Sequence, residues 1–323
     1  MTGERKGVLF GYRGSERRSA QSRRVRRQRR LACVFLAPSL LGVAMFYGAP
    51  FLDVARRSFL DAMGHRFVGM ENYEGVWNNQ AFRLAISNTV RFLAAALPLL
   101  LTGSLLLSLM VYGAKVKKGL FKTTLILPMA VPAAAMVLVW KVLLCPDGVI
   151  NQLLFALTGQ IWDRDWVNGI TAFPVLIATY LWKNTGYDML LWLAGLGAIP
   201  DSLYDAAKVD GAGAFARLLY ITLPNLKNTA VLVLVLSGIN SFRVYREAYL
   251  LSGTYPDQSI YMIPHLFSHW FLTLDIQRMS TGAMFLVAFM AMAWGLGRQG
   301  AWIAAGREQR KKWEGKGRKR GRI

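Results

Sequence analysis

An all-α membrane protein with six transmembrane helices is what the sequence predicts, and three observations lead there. Of the 323 residues, 54% are apolar and only 18% charged, against about 45–50% and about 25% in ordinary soluble chains. Six apolar stretches, near 31–52, 89–112, 124–144, 172–194, 229–251 and 281–303, each supply the roughly 20 residues a helix needs to cross a hydrocarbon core. The 39 Lys and Arg outnumber the 18 Asp and Glu, for a net charge of +21, and they gather at the two ends and in alternate gaps. A soluble nucleic-acid binder would spread such a charge over a polar surface, so no nucleic acid is expected as a partner.

The chain therefore divides into a basic tail at 1–30, a six-span domain at 31–303 and a second basic tail at 304–323. Six spans put both termini on one side. The tails and the 113–123 and 195–228 gaps hold 27 Lys and Arg, whereas the 53–88, 145–171 and 252–280 gaps hold 6. The positive-inside rule then makes the tails and the first set of gaps cytoplasmic.

In chain order, the run Arg23-Arg24-Val25-Arg26-Arg27-Gln28-Arg29-Arg30 reads as a topological anchor at anionic membrane lipid, not as an export signal. The first outer loop carries Val68-Gly69-Met70-Glu71-Asn72-Tyr73 and Trp77, an amphipathic segment at the interface. Pro128 and Pro132 interrupt the third span, and Pro146-Asp147-Gly148 opens a turn after it. Cys33 and Cys145 lie in or beside apolar spans and read as buried thiols, and His265 and His269 lack a third ligand, so no metal is expected.

Charged groups inside a bilayer are costly and mark partners or cavities. Lys183 and Asp188 lie deep in the fourth span, and Arg243, Arg246 and Glu247 in the fifth. With Asn184, Tyr187, Asn240 and Ser241, these two spans hold most of the polar atoms of the apolar region, which suits either interhelical hydrogen bonding or a hydrophilic passage. Amides, hydroxyls and aromatic faces match sugar hydroxyls, so Asn184, Tyr187, Asn240 and Ser241 are the candidate substrate-pathway residues.

The 195–228 connector is longer than a simple link between spans requires. Pro200 with Asp201 or Ser202 starts a short helix, Ser202 and Asp205 fit a capping box, and Leu203, Ala206 and Ala207 form a small apolar face. Gly211 and Gly213 end it, a second amphipathic helix follows through Phe215, Leu218 and Leu219, and Pro224 leads into the fifth span. A small face offers little bulk to lipid, which favours docking on protein.

Asp205-Ala206-Ala207, three residues, Gly211, nine residues and Ile221-Thr222-Leu223-Pro224 resemble the EAA loop of permease subunits of binding-protein-dependent ABC importers, with Asp in place of the usual Glu. The segments at 68–73, 121–128, 145–151 and 191–200 are similar to the carbohydrate-type subfamily. The resemblance spans about 31–303 and implies the MetI-like permease fold, in the bacterial cytoplasmic membrane. It implies that Asp205, Ala206, Ala207 and Gly211 couple the chain to an ATPase dimer, and that the chain is not itself an enzyme. It further implies a second, different permease subunit, an extracytoplasmic solute-binding protein, and import of a sugar, with a neutral oligosaccharide expected and an anionic solute left open by Lys183, Arg243 and Arg246. No Gly-x-x-x-x-Gly-Lys-Ser/Thr run occurs in these residues, so no cofactor is expected here and ATP would be used by the partner. The alternative reading is an ATP-independent secondary transporter or channel, which would show related halves or broken, Gly/Pro-interrupted spans in matching positions.

Overall fold

The computed structural model describes residues 31, 33–113, 118–244, 246, 248–249, 256–292 and 295. The two basic tails, the 114–117 part of the second gap, Glu247 and the C-terminal end of the sixth predicted span lie outside them. The described residues are helical with no strand, apart from a single antiparallel bridge between Leu60 and Phe67. They fall into two units, one of the described residues up to Tyr73 with those from Ile276 onward, and one of those between Glu74 and Asp275.

In the first unit, α1 (Cys33–Arg57) is apolar and has no buried residue in its spanning window. Its ladder widens to a π turn at Ala44–Gly48, just before Pro50, which has no N–H to donate. A tight loop follows. The Asp61 carboxylate accepts the backbone N–H groups of His65 (2.8 Å) and Arg66 (3.1 Å), which holds its pKa below the ordinary value. The Asn72 amide donates to the Ser58 and Leu60 carbonyls, Ser58 and Tyr73 share a hydroxyl–hydroxyl bond of 2.8 Å, and Gln277 donates to Asn72. The Glu-Asn-Tyr segment is thus a clamp that fastens the loop to the α12 helix (Ile276–Met292), where Tyr73 meets Phe285 edge-on. The segment opens α2 (Glu71–Asn78).

The second unit is built on α3 (Gln80–Gly113) and α7 (Ala172–Gly197). At 1.5 Å per residue, the 34 residues of α3 measure about 51 Å, so it extends past a core of about 30 Å. Phe92 packs edge-on against Tyr180 at 5.3 Å, and the Trp192 indole donates to the Ser104 hydroxyl at 3.0 Å, so each end of the α3–α7 contact is pinned. Small residues set the spacing elsewhere. A Cβ on Gly186 would overlap the Leu125 carbonyl of α4 (Lys118–Ala130), so α4 and α7 touch backbone to backbone.

The expected third span at 124–144 is not one continuous helix. It breaks at Val131–Pro132 into α4 and α5 (Ala133–Leu144), because proline removes a ladder hydrogen bond and disfavours helix before it. Apolar helix resumes as α6 (Val149–Thr158) after the turn at Cys145–Gly148. Asn151 organises that turn, donating to the Pro146 and Arg164 carbonyls (both 2.8 Å) and accepting from the Trp166 indole.

Judged by length and apolarity, Cys33–Arg57, Gln80–Gly113 and Ala133–Thr158 can each cross a membrane, and a bent pair, Ala214–Asn225 with Lys227–Ser241, makes up to a fourth. The predicted count of six is therefore met only in part. The 26-residue α7 is long enough, but Lys183, Asn184 and Asp188 dilute its apolarity, and Ile276–Met292 is short within the described residues. The helix of the fifth span is interrupted after Ser241 by a 3₁₀ turn of Phe242–Val244, and residues 246, 248 and 249 beyond it are again helical.

Candidate functional site: the connector and the cavity between spans

The connector begins where α7 stops. Ile199 and Pro200 leave the helix, and Pro200 sits at the N-cap in extended geometry (φ −61°, ψ 130°), so α8 (Asp201–Val209) starts two residues before a Ser202 cap would place it. This overturns the capping box: Asp205 is too deep in the helix to reach its N-terminus. Its carboxylate instead accepts from Lys208 Nζ at 2.8 Å, a pair more than half exposed and worth little to stability. Asp201 at the start and Lys208 in the last turn both complement the helix dipole.

The stop after α8 is a Schellman motif. Ala212 N–H bonds the Ala207 carbonyl (2.8 Å), Gly211 N–H bonds the Lys208 carbonyl (3.1 Å), and Gly211 sits at φ +75°. That backbone conformation is why glycine stands there, since a Cβ would meet no atom within 4 Å. The chain then turns into α9 (Ala214–Asn225), which contains a π segment at Leu218–Thr222. It bends by 65° at Leu226 into α10 (Lys227–Ser241).

Two sets of contacts give the connector a stiff root and a bare tip. At the root, Ile199 and Leu226 are buried with Trp192, Leu196 and Val233, with Tyr204 and Ile221 against them, and the Tyr204 and Thr222 hydroxyls bond at 3.0 Å. At the tip, Leu203 (43% exposed), Ala206 and Val209 (88% exposed) recur every three residues along one face, in company with exposed Asp205. Val209 and the anchor Tyr204 were not singled out from the sequence. Val209 is the third residue of the 203–206–209 stripe, and Tyr204 is an aromatic one position off it, so helical spacing carried a signal for both.

The second candidate is a cavity of about 190 Å³ beside α7, α10 and the end of α4. Asn184 and Asn240 line it together with Tyr180, Lys183, Arg243 and Arg246. Tyr187 and Ser241 do not. Ser241 is buried and donates to the Gly238 carbonyl of its own helix, while Tyr187 is half-buried outside the cavity lining. Next to the cavity, Asp188 is fully buried and accepts from Ser237 Oγ at 2.6 Å, and the Tyr180 hydroxyl donates to the Ser237 carbonyl at 2.8 Å. Two polar groups of α7, the Asp188 carboxylate and the Tyr180 hydroxyl, thus meet at Ser237 of α10. The convergence of cations from α7 and from the residues after α10 depends on register across some sixty residues, which periodicity alone does not give.

Comparison with known proteins bears on both places. The family described as "Binding-protein-dependent transport system inner membrane component" matches residues 111–297. The lactose transport system permease protein LacF of Rhizobium radiobacter is 31% identical over 225 residues, 67% of this chain and 74% of that protein. The arabinooligosaccharides transport system permease protein AraP of Bacillus subtilis is 32% identical over 224 residues, 68% of this chain and 71% of that protein. Among solved structures, a chain of a bacterial ABC transporter involved in the import of the acidic polysaccharide alginate superposes with a TM-score of 0.70 at 22% identity, covering 83% of this chain and 93% of that one, a likeness of fold.

Proposed function

Because the chain belongs to the family of inner-membrane components of binding-protein-dependent transport systems, we propose that it is a permease subunit that moves a sugar across the bacterial cytoplasmic membrane, driven by ATP hydrolysed on a separate subunit. The exposed stripe of α8 on its stiff root is the observation that carries this reading. A nine-residue helix holding Leu203 and Val209 in water without lipid-sized bulk is suited to a groove on a protein partner. Asp205, Ala206, Ala207 and Gly211 belong to that docking segment, and Gly211 fixes where the helix ends.

The partner in this reading is an ATP-binding cassette ATPase dimer. Its closure on ATP pulls α8, and the root transmits the pull to α7 and α10, so the spans rock between inward- and outward-facing states as rigid bodies. A second permease subunit completes the pathway, an extracytoplasmic binding protein delivers the solute, and both termini with the 195–228 connector face the cytoplasm, as the Lys/Arg distribution supports. LacF and AraP are named for lactose and arabinooligosaccharides, which supports a sugar or oligosaccharide as cargo.

The test is purification of a tagged chain from its own host in mild detergent. An ATPase that copurifies, and is lost from a Leu203→Asp/Val209→Asp double variant, is the expected result. A wild-type preparation with no nucleotide-hydrolysing subunit would overturn the reading.

A further inference from the structure

The connector carries two exposed faces of different chemistry. On α8 the stripe is small, with Ala206 between Leu203 and Val209. On α9 it is bulky: Phe215 is 72% and Tyr220 80% exposed, and Leu219 and Leu223 are bare as well. The other side of α9 is already used. Ile221 packs on the root, Thr222 is buried against Tyr204, and Arg217 and Leu218 line a groove with Leu109 and Tyr112 of α3. Two aromatic rings and two leucines together on one short helix form an apolar patch of the kind that marks a contact surface.

The bend shows what meets this face. α9 leaves α10 at 65°, so with α10 crossing the bilayer α9 lies nearer the membrane plane than the membrane normal. Beyond the bend, Val231, Leu232, Leu234, Val235 and Ile239 are exposed on the side of α10 away from Val233 and Ser237, and none has a polar side-chain atom. In an inner-membrane component this is the lipid-facing surface of a span. Between the two apolar faces, Asn225, Lys227 and Asn228 are exposed at the elbow, a polar collar suited to headgroup depth. No Asp or Glu occurs between Asp210 and Glu247, so no carboxylate on α9 or α10 opposes lipid phosphate, and Lys227 stands at the elbow to meet it. A helix with aromatic and leucine bulk on one side and a cation at its edge is the form that lies in the interface plane.

We infer that α9 rests on the cytoplasmic leaflet of the bilayer, with Phe215, Leu219, Tyr220 and Leu223 sunk at the boundary of headgroups and acyl chains and Lys227 against lipid phosphate. Only the cytoplasmic side is taken from the permease reading above. The connector then divides its work: the bulky face of α9 holds lipid, which fixes the depth of α8 beneath the membrane and leaves the small stripe for a protein groove.

The test uses the complete transporter reconstituted in vesicles of phosphatidylethanolamine and phosphatidylglycerol. A benzophenone maleimide is attached to Tyr220→Cys and, separately, to Val209→Cys. The vesicles are irradiated, and the peptide carrying the labelled residue is weighed by mass spectrometry. A phospholipid adduct at 220, absent at 209, is the expected result. Adding Leu219→Asp/Leu223→Asp to Tyr220→Cys should abolish that adduct while the ATPase still copurifies.

An adduct from 220 to a second permease subunit or to the ATPase overturns the lipid contact, and the ATPase adduct does so while leaving the permease reading intact. A label at 220 that reacts only with water overturns it too. Equal lipid adducts at 220 and 209 would report random collision with the bilayer and likewise overturn it. Should the Asp double variant fail to accumulate, the comparison of 220 with 209 decides alone. A preparation without an ATPase would sink the permease reading, and a lipid adduct confined to 220 would still stand.

Discussion

Gly211→Ala isolates the backbone geometry that ends the connector helix. The residue sits at φ +75°, and an added Cβ meets nothing within 4 Å, so the substitution adds strain without a clash. Holding an L-residue in the left-handed region costs about 1–2 kcal/mol, a factor of about 5–30 in the population of the closed stop. The reporter is the amide of Ala212, whose N–H bonds the Ala207 carbonyl only while the stop is formed. Its hydrogen exchange in the purified assembly should accelerate about 5–30-fold in the Ala variant. Gly211→Asn should accelerate it less, because Asn visits that region more readily. Unchanged protection at Ala212 in the Ala variant would refute the strain argument. Gly211→Trp then adds outward bulk to the same strain. On the docking proposal, uptake falls far more in Trp than in Ala at equal expression, and normal uptake in the Trp strain would refute docking through this end of α8.

Other perturbations follow from the same contacts. Gly186→Ala forces a methyl group onto the Leu125 carbonyl, a backbone atom that cannot step aside, so it should destabilise the protein by about 1–3 kcal/mol, read as a lower melting temperature in detergent. A melting temperature equal to wild type would mean α4 and α7 are not held this close. Asp188→Asn keeps an oxygen that can accept from Ser237, whereas Asp188→Leu strands that buried hydroxyl at a cost of about 1–3 kcal/mol, so the Leu variant should melt lower than the Asn variant. In α11 (Ile263–Leu272), burial pushes the His265 pKa down from 6.5 to about 4, and its Nδ1 accepts the Met262 N–H, which only the neutral ring can do. An opened segment binds a proton that the closed one refuses, so protection is full above 6.5, falls as the pH drops toward 4, and then levels. Hydrogen exchange at Leu266, corrected for intrinsic rates, checks this, and a His265→Gln variant should lose the pH dependence.

Local chemistry made part of this molecule readable in advance. The connector's helix, its glycine stop and the turn into the next span follow from Pro200, Gly211 and Pro224, each of which restricts or frees its own backbone. The break in the third span was visible as Pro132. The capping box failed by two positions of register: Pro200, not Ser202, occupies the cap, and a side chain that seemed placed to reach backward reaches forward to Lys208. The pathway residues were split, because Asn184 and Asn240 meet only through the packing of α7 on α10, while Tyr187 and Ser241 share their helices but not the cavity lining. Composition marked α7 as polar for a span, yet nothing short of three dimensions brings Lys183 to Arg243.

The 65° bend at Leu226 has a mechanical consequence. Gly195 of α7 lies directly against Leu226 and Thr229, with no side chain of its own between the helices. A joint built this way has almost no backlash: there is no soft padding to compress before the neighbouring rod begins to turn. Any turn of α10 about the elbow therefore meets α7 at once, and the fulcrum is a single missing methyl group.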